Sequence, residues 1–385
     1  MALRGIKVIE MAGLAPVPFA GLLLADFGAS VIRVDKPNEL VPINLMGRKK
    51  RSICIDVKNP NGVGVVKKLC RSADILLDSY RPGIMEKFGM GPDILCSINP
   101  RLIYARLTGF GQKGPLSSRA GHDINYLAIS GILSALGKAN DNPFPPINLL
   151  ADFAGGSLMC LLGILMALME REKSGFGQVV DASMTQGVAY LSTFLTDVKR
   201  IHLPVRKEKR GYGMLDGGAP FYTTYETSDG EFMAVGAIEP QFYRALLDKL
   251  GLDNSLLAEQ MDMTKWESTK EMIARVFLTK TREDWTKIFS DIDACVEPVL
   301  SMKEAPQHPH NRHTKTFSLD PEIQEFVPNP APVLSRTPAS IGSFDQPDIG
   351  QNTMEILNEL QYTEEEISKL IIDGAVKQNE IKSKI

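Results

Sequence analysis

The strongest constraint on this chain is a cadence in its N-terminal part. "KVIEM" reads as a short apolar strand, "PFAGLLLADFGA" as a helix stopped near Gly28, and "SVIRVD" as a second strand. The alternation returns in the strand "RSICIDV", the helix "GVGVVKKLCRSA", the strand "DILLDSY", the helix "GIMEKFGM" and the strand "RLIYARLTGFG". Strands separated by helix-length segments cannot close as tight hairpins, so they line up in parallel under crossover helices. The expected fold class is α/β, with a Rossmann-like, mostly parallel, doubly wound sheet. After the first strand stands "GLAPVP" rather than GxGxxG, which argues against a nicotinamide or flavin dehydrogenase.

Beyond the cadence the pattern changes. From Ala154 to about Arg171 it is helical and apolar nearly all round, which predicts a helix buried between layers. Its longest apolar run, Leu158 to Met169, is shorter than the ~20 residues of a bilayer span, so stable membrane insertion is not expected. "GGAPFYTTYETSDGEFMAVGAI" alternates apolar and polar residues around Asp229-Gly230, a hairpin turn pair, and short helices follow in "PQFYRALLDKLGL" and "REDWTKIFSDI". The expected organisation is a large α/β domain over 1–200, a linker over 201–224 and a smaller α+β domain over 225–315. A Pro-rich linker over 316–340 then leads to C-terminal helices over 341–385 that return to the large domain. The last helix starts at "TEEE", a capping box of Thr363 and Glu366.

Charge and cysteine usage exclude several classes. With 43 basic against 46 acidic residues the net charge is −3, so no nucleic-acid coat is expected and any polyanionic ligand must meet a local basic cluster. The candidate cluster is Arg48-Lys49-Lys50-Arg51 with Arg33, Lys36, Arg81 and Lys87; a solvated turn accounts for the run equally well. Cys54, Cys70, Cys96, Cys160 and Cys295 are odd in number and scattered, which points to a reducing compartment and away from a disulfide framework or a cysteine zinc site. His308, His310 and His313 in "HPHNRH" have a proline between the first two and no nearby cysteine or acidic cluster, so they read as a polar linker and no metal is expected. "RGIKVIEMAG" does not read as a secretory leader, and Ser383-Lys384-Ile385 stands close to the peroxisomal S-K-L address.

Three residues are candidates for chemistry. His122 in "GHDINY" follows a strand-like run and a glycine, at the edge where open α/β sheets place ligands, and imidazole is a base suited to neutral pH. A histidine hydrogen-bonded within a loop is the alternative. Asp152 precedes "FAGGS" where a helix N-cap belongs. Alternatively, Gly155 and Gly156 let a ligand approach the free N–H groups of that helix start, where an oxyanion could be stabilised. Glu239 in "GAIEPQF" is placed either to orient a histidine or to serve as a helix-start acid.

Six segments carry a family resemblance: "AGHDINYLAISGILSALG", "NLLADFAGGSLMC", "GQVVDASM", "MLDGGAPFYTTYET", "DGEFMAVGAIEPQFY" and "DACVEPVL". In order and spacing they resemble the family III CoA-transferase superfamily, and within it the α-methylacyl-CoA racemases, from the N-terminus to about residue 335. The resemblance implies two-base exchange of the α-proton of a 2-methyl-branched acyl-CoA, in branched fatty acid and bile acid intermediate metabolism, with CoA as part of the substrate and no cofactor. It implies His122 and Asp152 as the acid–base pair on opposite faces of the substrate. Glu239 would orient the histidine from the second chain of an interlocked homodimer. For CoA it implies Lys36, Ile55, Asp56, Val57 and Lys58, together with Gly121, Asp123, Ile124, Asn125 and Tyr126; Arg81 and Lys87 join them as basic candidates. The terminal Ser383-Lys384-Ile385 favours a peroxisomal location, read by an import receptor, with the mitochondrion as an alternative destination. Two departures stand out: Val17 where the family has glycine between prolines, and Lys36 where it has arginine, which keeps charge but loses the bidentate fork. The competing readings are a family III CoA-transferase with Asp152 as nucleophile and a non-catalytic acyl-CoA-binding protein.

Overall fold

Strands β1 (Lys7–Met11), β2 (Ser30–Asp35), β3 (Lys50–Ile55), β4 (Ile75–Asp78), β5 (Ile103–Thr108) and β6 (Val179–Ser183) pair in parallel, as the cadence predicts. Six more strands follow: β7 (Tyr222–Glu226), β8 (Phe232–Gly236), β9 (Val296–Pro298), β10 (Phe317–Asp320), β11 (Glu325–Pro328) and β12 (Val376–Lys377). The last of these adds an antiparallel edge to β3, giving the order β12-β3-β2-β1-β4-β5-β6. The computed structural model describes residues 1–37, 45–201, 204–205 and 207–379, so Ser383, Lys384 and Ile385 lie outside the described residues.

Two units make up the chain. One comprises Met1–Ser130, Pro146–Leu191 and Lys315–Ile385; the other comprises Gly131–Pro145 and Ser192–Thr314. The division departs from the expected boundaries. Residues read as a linker over 201–224 supply Met214, Ala219 and Phe221 to the second unit's core, because their apolar side chains have a sheet to pack on. Residues 131–145, placed by sequence in the large domain, belong to the second unit, and the linker expected over 316–340 contains the hairpin of β10 and β11.

In the first unit, strand alternation builds two layers. Ile9 and Met11 of β1 join Ile53, Leu76 and Tyr104 in a core with Val65, Leu69, Ile356 and Leu370 from the helices packed there. On the opposite face Glu10 points at the Pro16–Asp26 helix, where Gly21 leaves room for its carboxylate. Lys50 meets it at 2.7 Å with both side chains fully buried, and also donates to the Pro18 carbonyl at 2.8 Å. The Thr363–Glu366 capping box forms as expected.

The long apolar helix differs from expectation. It starts at Leu149 rather than Ala154, winds as a π-helix over Leu149–Leu158, and continues as an α-helix over Met159–Ser174. It runs for 26 residues and contains an 18-residue window of mean hydropathy 1.9, so it is long and apolar enough to cross a bilayer, although its longest uninterrupted apolar run is not. Cys160, Ile164, Ala167 and Arg171 are buried, while Leu158, Leu162, Met166 and Met169 are exposed in the single chain. It is therefore one-sided rather than enclosed between layers.

In the second unit β7, β8 and β9 form an antiparallel sheet, with the Asp229-Gly230 turn joining the first two as expected. The Pro240–Leu250, Trp266–Phe277 and Arg282–Phe289 helices contribute Leu246, Leu247, Ile273 and Trp285 to its core with Tyr225, Met233 and Val235.

Candidate active site

Parallel strands all end at one edge, and ligands bind there where the strand order reverses. In this sheet the reversal lies between β1 and β4. Leu14, Pro16 and Val17 after β1, Ser79 and Arg81 after β4, and Gly109 and Phe110 after β5 line a cleft of about 270 Å³. His122, Tyr126 and Asp152 line the same cleft, so residues thirty positions apart in sequence share one wall.

Local hydrogen bonds hold the His122 backbone. His122 directly precedes the Asp123–Ser130 helix, and its carbonyl accepts the N–H groups of Asn125 at 2.8 Å and Tyr126 at 3.3 Å. The Asn125 side chain reaches back to accept the His122 N–H at 3.0 Å, the reciprocal half of a capping box. The Tyr126 hydroxyl donates to the Gly121 carbonyl, and its ring stands edge-on to Phe110 in space that any Gly109 side chain would fill. With the backbone fixed, the imidazole stays exposed to the cleft.

Asp152 is not a helix N-cap. Ile147 and Asn148 take left-handed φ values of 50° and 59°, which starts the helix at Leu149 and puts Asp152 in its first turn. The capping acceptor is Asp123: its Oδ2 accepts the N–H groups of Ala151 at 2.7 Å and Asp152 at 2.9 Å. Those donors are taken, so they do not form the oxyanion site that the sequence allowed. Nor do the glycines open the helix to a ligand. A Cβ on Gly155 would stand 2.5 Å from Val188 Cγ2, and one on Gly156 would meet Met184 and the Ala151 carbonyl. They allow close packing of the Met184–Leu191 helix instead.

Burial raises the pKa of Asp152 to about 6, and the neighbouring Asp123 carboxylate adds to the rise. His122 and a 3.2 Å hydrogen bond from Asn148 Nδ2 act in the opposite sense. A helix start alone would lower this pKa. Desolvation and the second carboxylate outweigh it, and the carboxyl group can exchange a proton near neutrality.

The residues expected to bind CoA separate into groups. Lys36, Ile55, Asp56, Val57 and Lys58 line a second cleft, about 360 Å³, along the same strand ends, with Tyr80 and Phe88. The Lys36 ammonium lies 5.3 Å from the centre of the Tyr80 ring. Arg81, Gly121 and Tyr126 line the His122 cleft. Lys87, Ile124 and Asn125 are exposed but line neither cleft, and Asp123 is buried with its carboxylate turned into the helix start. Nor is the run Arg48-Lys49-Lys50-Arg51 a phosphate cradle. Arg48 pairs with Asp26, Lys49 donates to the Asp26 and Ser340 carbonyls, Lys50 pairs with Glu10, and Arg51 pairs with Glu355 and Glu359.

Glu239 belongs to the second unit, at the N-cap position of the Pro240–Leu250 helix, exposed and making no capping hydrogen bond. The same unit holds a larger cavity, about 960 Å³, lined by Phe144, Leu215, Tyr222, Val235 and Cys295 among others. His122 and Asp152 are not part of it, and the acid–base geometry makes the smaller cleft the candidate site.

Sequence reasoning missed three contributors. Asn148 stands four residues before Asp152, a spacing that a helix start at Leu149 would have flagged. Arg119 adds a second arginine to the His122 cleft. The buried Ser157 hydroxyl lies 2.7 Å from the Pro16 carbonyl and 3.1 Å from that of Asp152, joining the two segments that form the cleft floor; no local pattern announces it.

Comparison with known proteins is consistent with this geometry. Alpha-methylacyl-CoA racemase of Homo sapiens is 52% identical over 386 residues, covering 100% of both chains. The enzyme of the same name from Mus musculus is 52% identical over 385 residues, again covering 100% of both. A solved CAIB/BAIF family protein from Brucella suis superposes with a TM-score of 0.79 over 93% of this chain and 99% of its own; at 23% identity it speaks for the fold alone. The profile of CoA-transferase family III matches residues 3–353, and the chain belongs to that family.

Proposed function

We infer that the protein is an isomerase, a racemase that interconverts the two epimers of 2-methyl-branched acyl-CoA thioesters. The observation that carries the reading is the pairing, in one cleft, of an exposed imidazole with a carboxyl group whose pKa is pushed up to about 6. The full-length relatives of that name support it.

A thioester α-proton is weakly acidic, and its removal requires a positioned base. In one direction His122 takes the proton, the C–H electron pair passes into the enolate, and charge collects on the thioester oxygen. Asp152, protonated at the start of this turnover, returns a proton to the opposite face, which inverts the centre. In the other direction the roles exchange: ionised Asp152 takes the proton and the imidazolium of His122 returns one. The proton lost and the proton gained balance, so the step itself calls for no redox partner. A carboxyl group with a pKa of about 6 suits both roles, since roughly a tenth of it stays protonated at pH 7. Lys36 and Lys58 in the second cleft, with Arg81 and Arg119 in the first, supply cations for the CoA phosphates. Glu239 of a second subunit orients the His122 imidazole in this reading. Its exposed carboxylate, free of capping duty, supports that role.

The test is incubation of each enantiomer of a 2-methylacyl-CoA in D2O. Deuterium should appear at the α-carbon, with His122→Ala and Asp152→Ala each impairing abstraction from a different enantiomer. Absence of incorporation by the intact protein would overturn the racemase reading. CoA exchange between two acids without α-deuteration would instead assign Asp152 as a nucleophile.

A further inference from the structure

Asp123 occupies the middle of the stretch assigned by resemblance to CoA binding, yet it is 2% exposed. Its Oδ2 accepts both the Ala151 and the Asp152 N–H, and its Oδ1 is buried with no hydrogen-bond partner. It is therefore the covalent neighbour of one reacting residue and the hydrogen-bond partner of the other. The segment it grips needs holding. Ile147 and Asn148 enter the helix in left-handed backbone conformations, and such a conformation is strained for β-branched isoleucine. Buried, charge-assisted hydrogen bonds to two consecutive N–H groups offset that strain and fix where the Asp152 side chain leaves the backbone.

We propose that Asp123 is a positioning residue for both halves of the acid–base pair: its carboxylate locks the Asp152 helix start to the backbone of His122, and its side chain does not contact the substrate. The proposal rests on the racemase reading for its catalytic consequence, and on geometry alone for the clamp. Its carboxylate also acts on Asp152 through space, in the sense that favours the protonated form. The titratable group acting on Asp152 beside it is His122; Tyr126, whose own pKa Asp152 raises, lies along the same cleft with Arg81 and Arg119. The Pro16–Asp26 and Met184–Leu191 helices present only Pro16, Val17 and Met184 there.

Three variants separate positioning from substrate contact. Asp123→Ala removes the acceptor and the charge. Asp123→Asn keeps an oxygen acceptor and removes only the charge, and Asp123→Glu keeps the charge on a longer arm. In the D2O assay Asp123→Ala should lower kcat for both enantiomers by about 10²-fold, the scale expected when a reacting group is misplaced by an ångström, with KM changed less than about threefold. Asp123→Asn should recover part of that kcat and move the Asp152-dependent limb of the pH profile to lower pH. Asp123→Glu should keep that limb in place but remain slower than wild type. A raised KM with unchanged kcat in Asp123→Ala would show a ligand contact and overturn the proposal, as would wild-type kcat. Amide hydrogen exchange at Ala151 and Asp152 provides a readout independent of turnover. Protection should be lost in Asp123→Ala and retained in Asp123→Asn; unchanged protection in Asp123→Ala refutes the clamp even if the intact protein exchanges no α-proton. Failure of the racemase reading shows in the wild-type D2O assay, and failure of the clamp shows in the exchange pattern.

Discussion

Asp152→Asn tests the electrostatics of the site without any assumption about turnover. In the unfolded chain the carboxyl has its ordinary pKa of 3.8; in the fold it rises to about 6. The native state thus binds the proton more tightly, and Asp152 stabilises the fold least where it is ionised in both states. Taken in full, the rise from 3.8 to about 6 would cost the folded protein about 3 kcal/mol by pH 8; solvent reaching the carboxylate from the cleft screens it, so this is an upper bound. The loss accumulates as pH rises from about 4 to about 6 and is absent below both pKa values. At pH 5 roughly half of it has developed. Asparagine cannot ionise, so Asp152→Asn should be more stable than the parent at pH 8, with the advantage shrinking by about half at pH 5. With an unfolding entropy of roughly 2.1 cal/mol/K per residue, the upper bound of about 3 kcal/mol raises Tm by about 4 °C for a chain of this length. Urea unfolding at pH 5, 6, 7 and 8 measures the effect. A variant equally or less stable than the parent at every pH, with no trend across the series, would refute the claim that burial and Asp123 raise this pKa.

Other perturbations follow from the same geometry. Asn148→Ala removes the hydrogen bond that lowers the Asp152 pKa, so the corresponding limb of the rate profile should move to higher pH; an unchanged limb contradicts the assignment. Gly155→Ala drives a methyl into the Val188 side chain and backbone and should destabilise the protein by about 1–3 kcal/mol in thermal or urea unfolding, with loss of exchange activity. Lys50→Ala leaves Glu10 buried without its partner and should destabilise by about 3–5 kcal/mol, whereas Lys50→Met with Glu10→Leu should recover most of that loss. Lys36→Ala combined with Lys58→Ala should weaken CoA-thioester binding and its salt dependence, measured by calorimetry, while kcat at saturation stays within about threefold of wild type.

Much of the scaffold was legible locally. Parallel pairing of β1 to β6 follows from helix-length spacers, the Asp229-Gly230 turn announces its hairpin, and Thr363 with Glu366 announces its cap. Each depends on residues a few positions apart, where backbone geometry dictates the outcome. The chemistry-bearing residues were legible as types and positions, and the family resemblance turned His122 and Asp152 from alternatives into a pair.

Their working properties were decided elsewhere. "RKKR" shows four cations but not that each meets its own internal partner, since charge in a sequence carries no information about non-local approach. The apolar run after Asp152 predicts a helix, but its start at Leu149 depends on two left-handed residues that no periodicity marks. The proton affinity of Asp152 depends most of all on tertiary structure. Sequence places it beside a helix start, which alone would hold it ionised. The fold buries it and sets against its N–H a carboxylate from 29 residues away. Desolvation and Coulomb interactions act through space, so the residue type was written in the sequence and its acidity came from the packing around it.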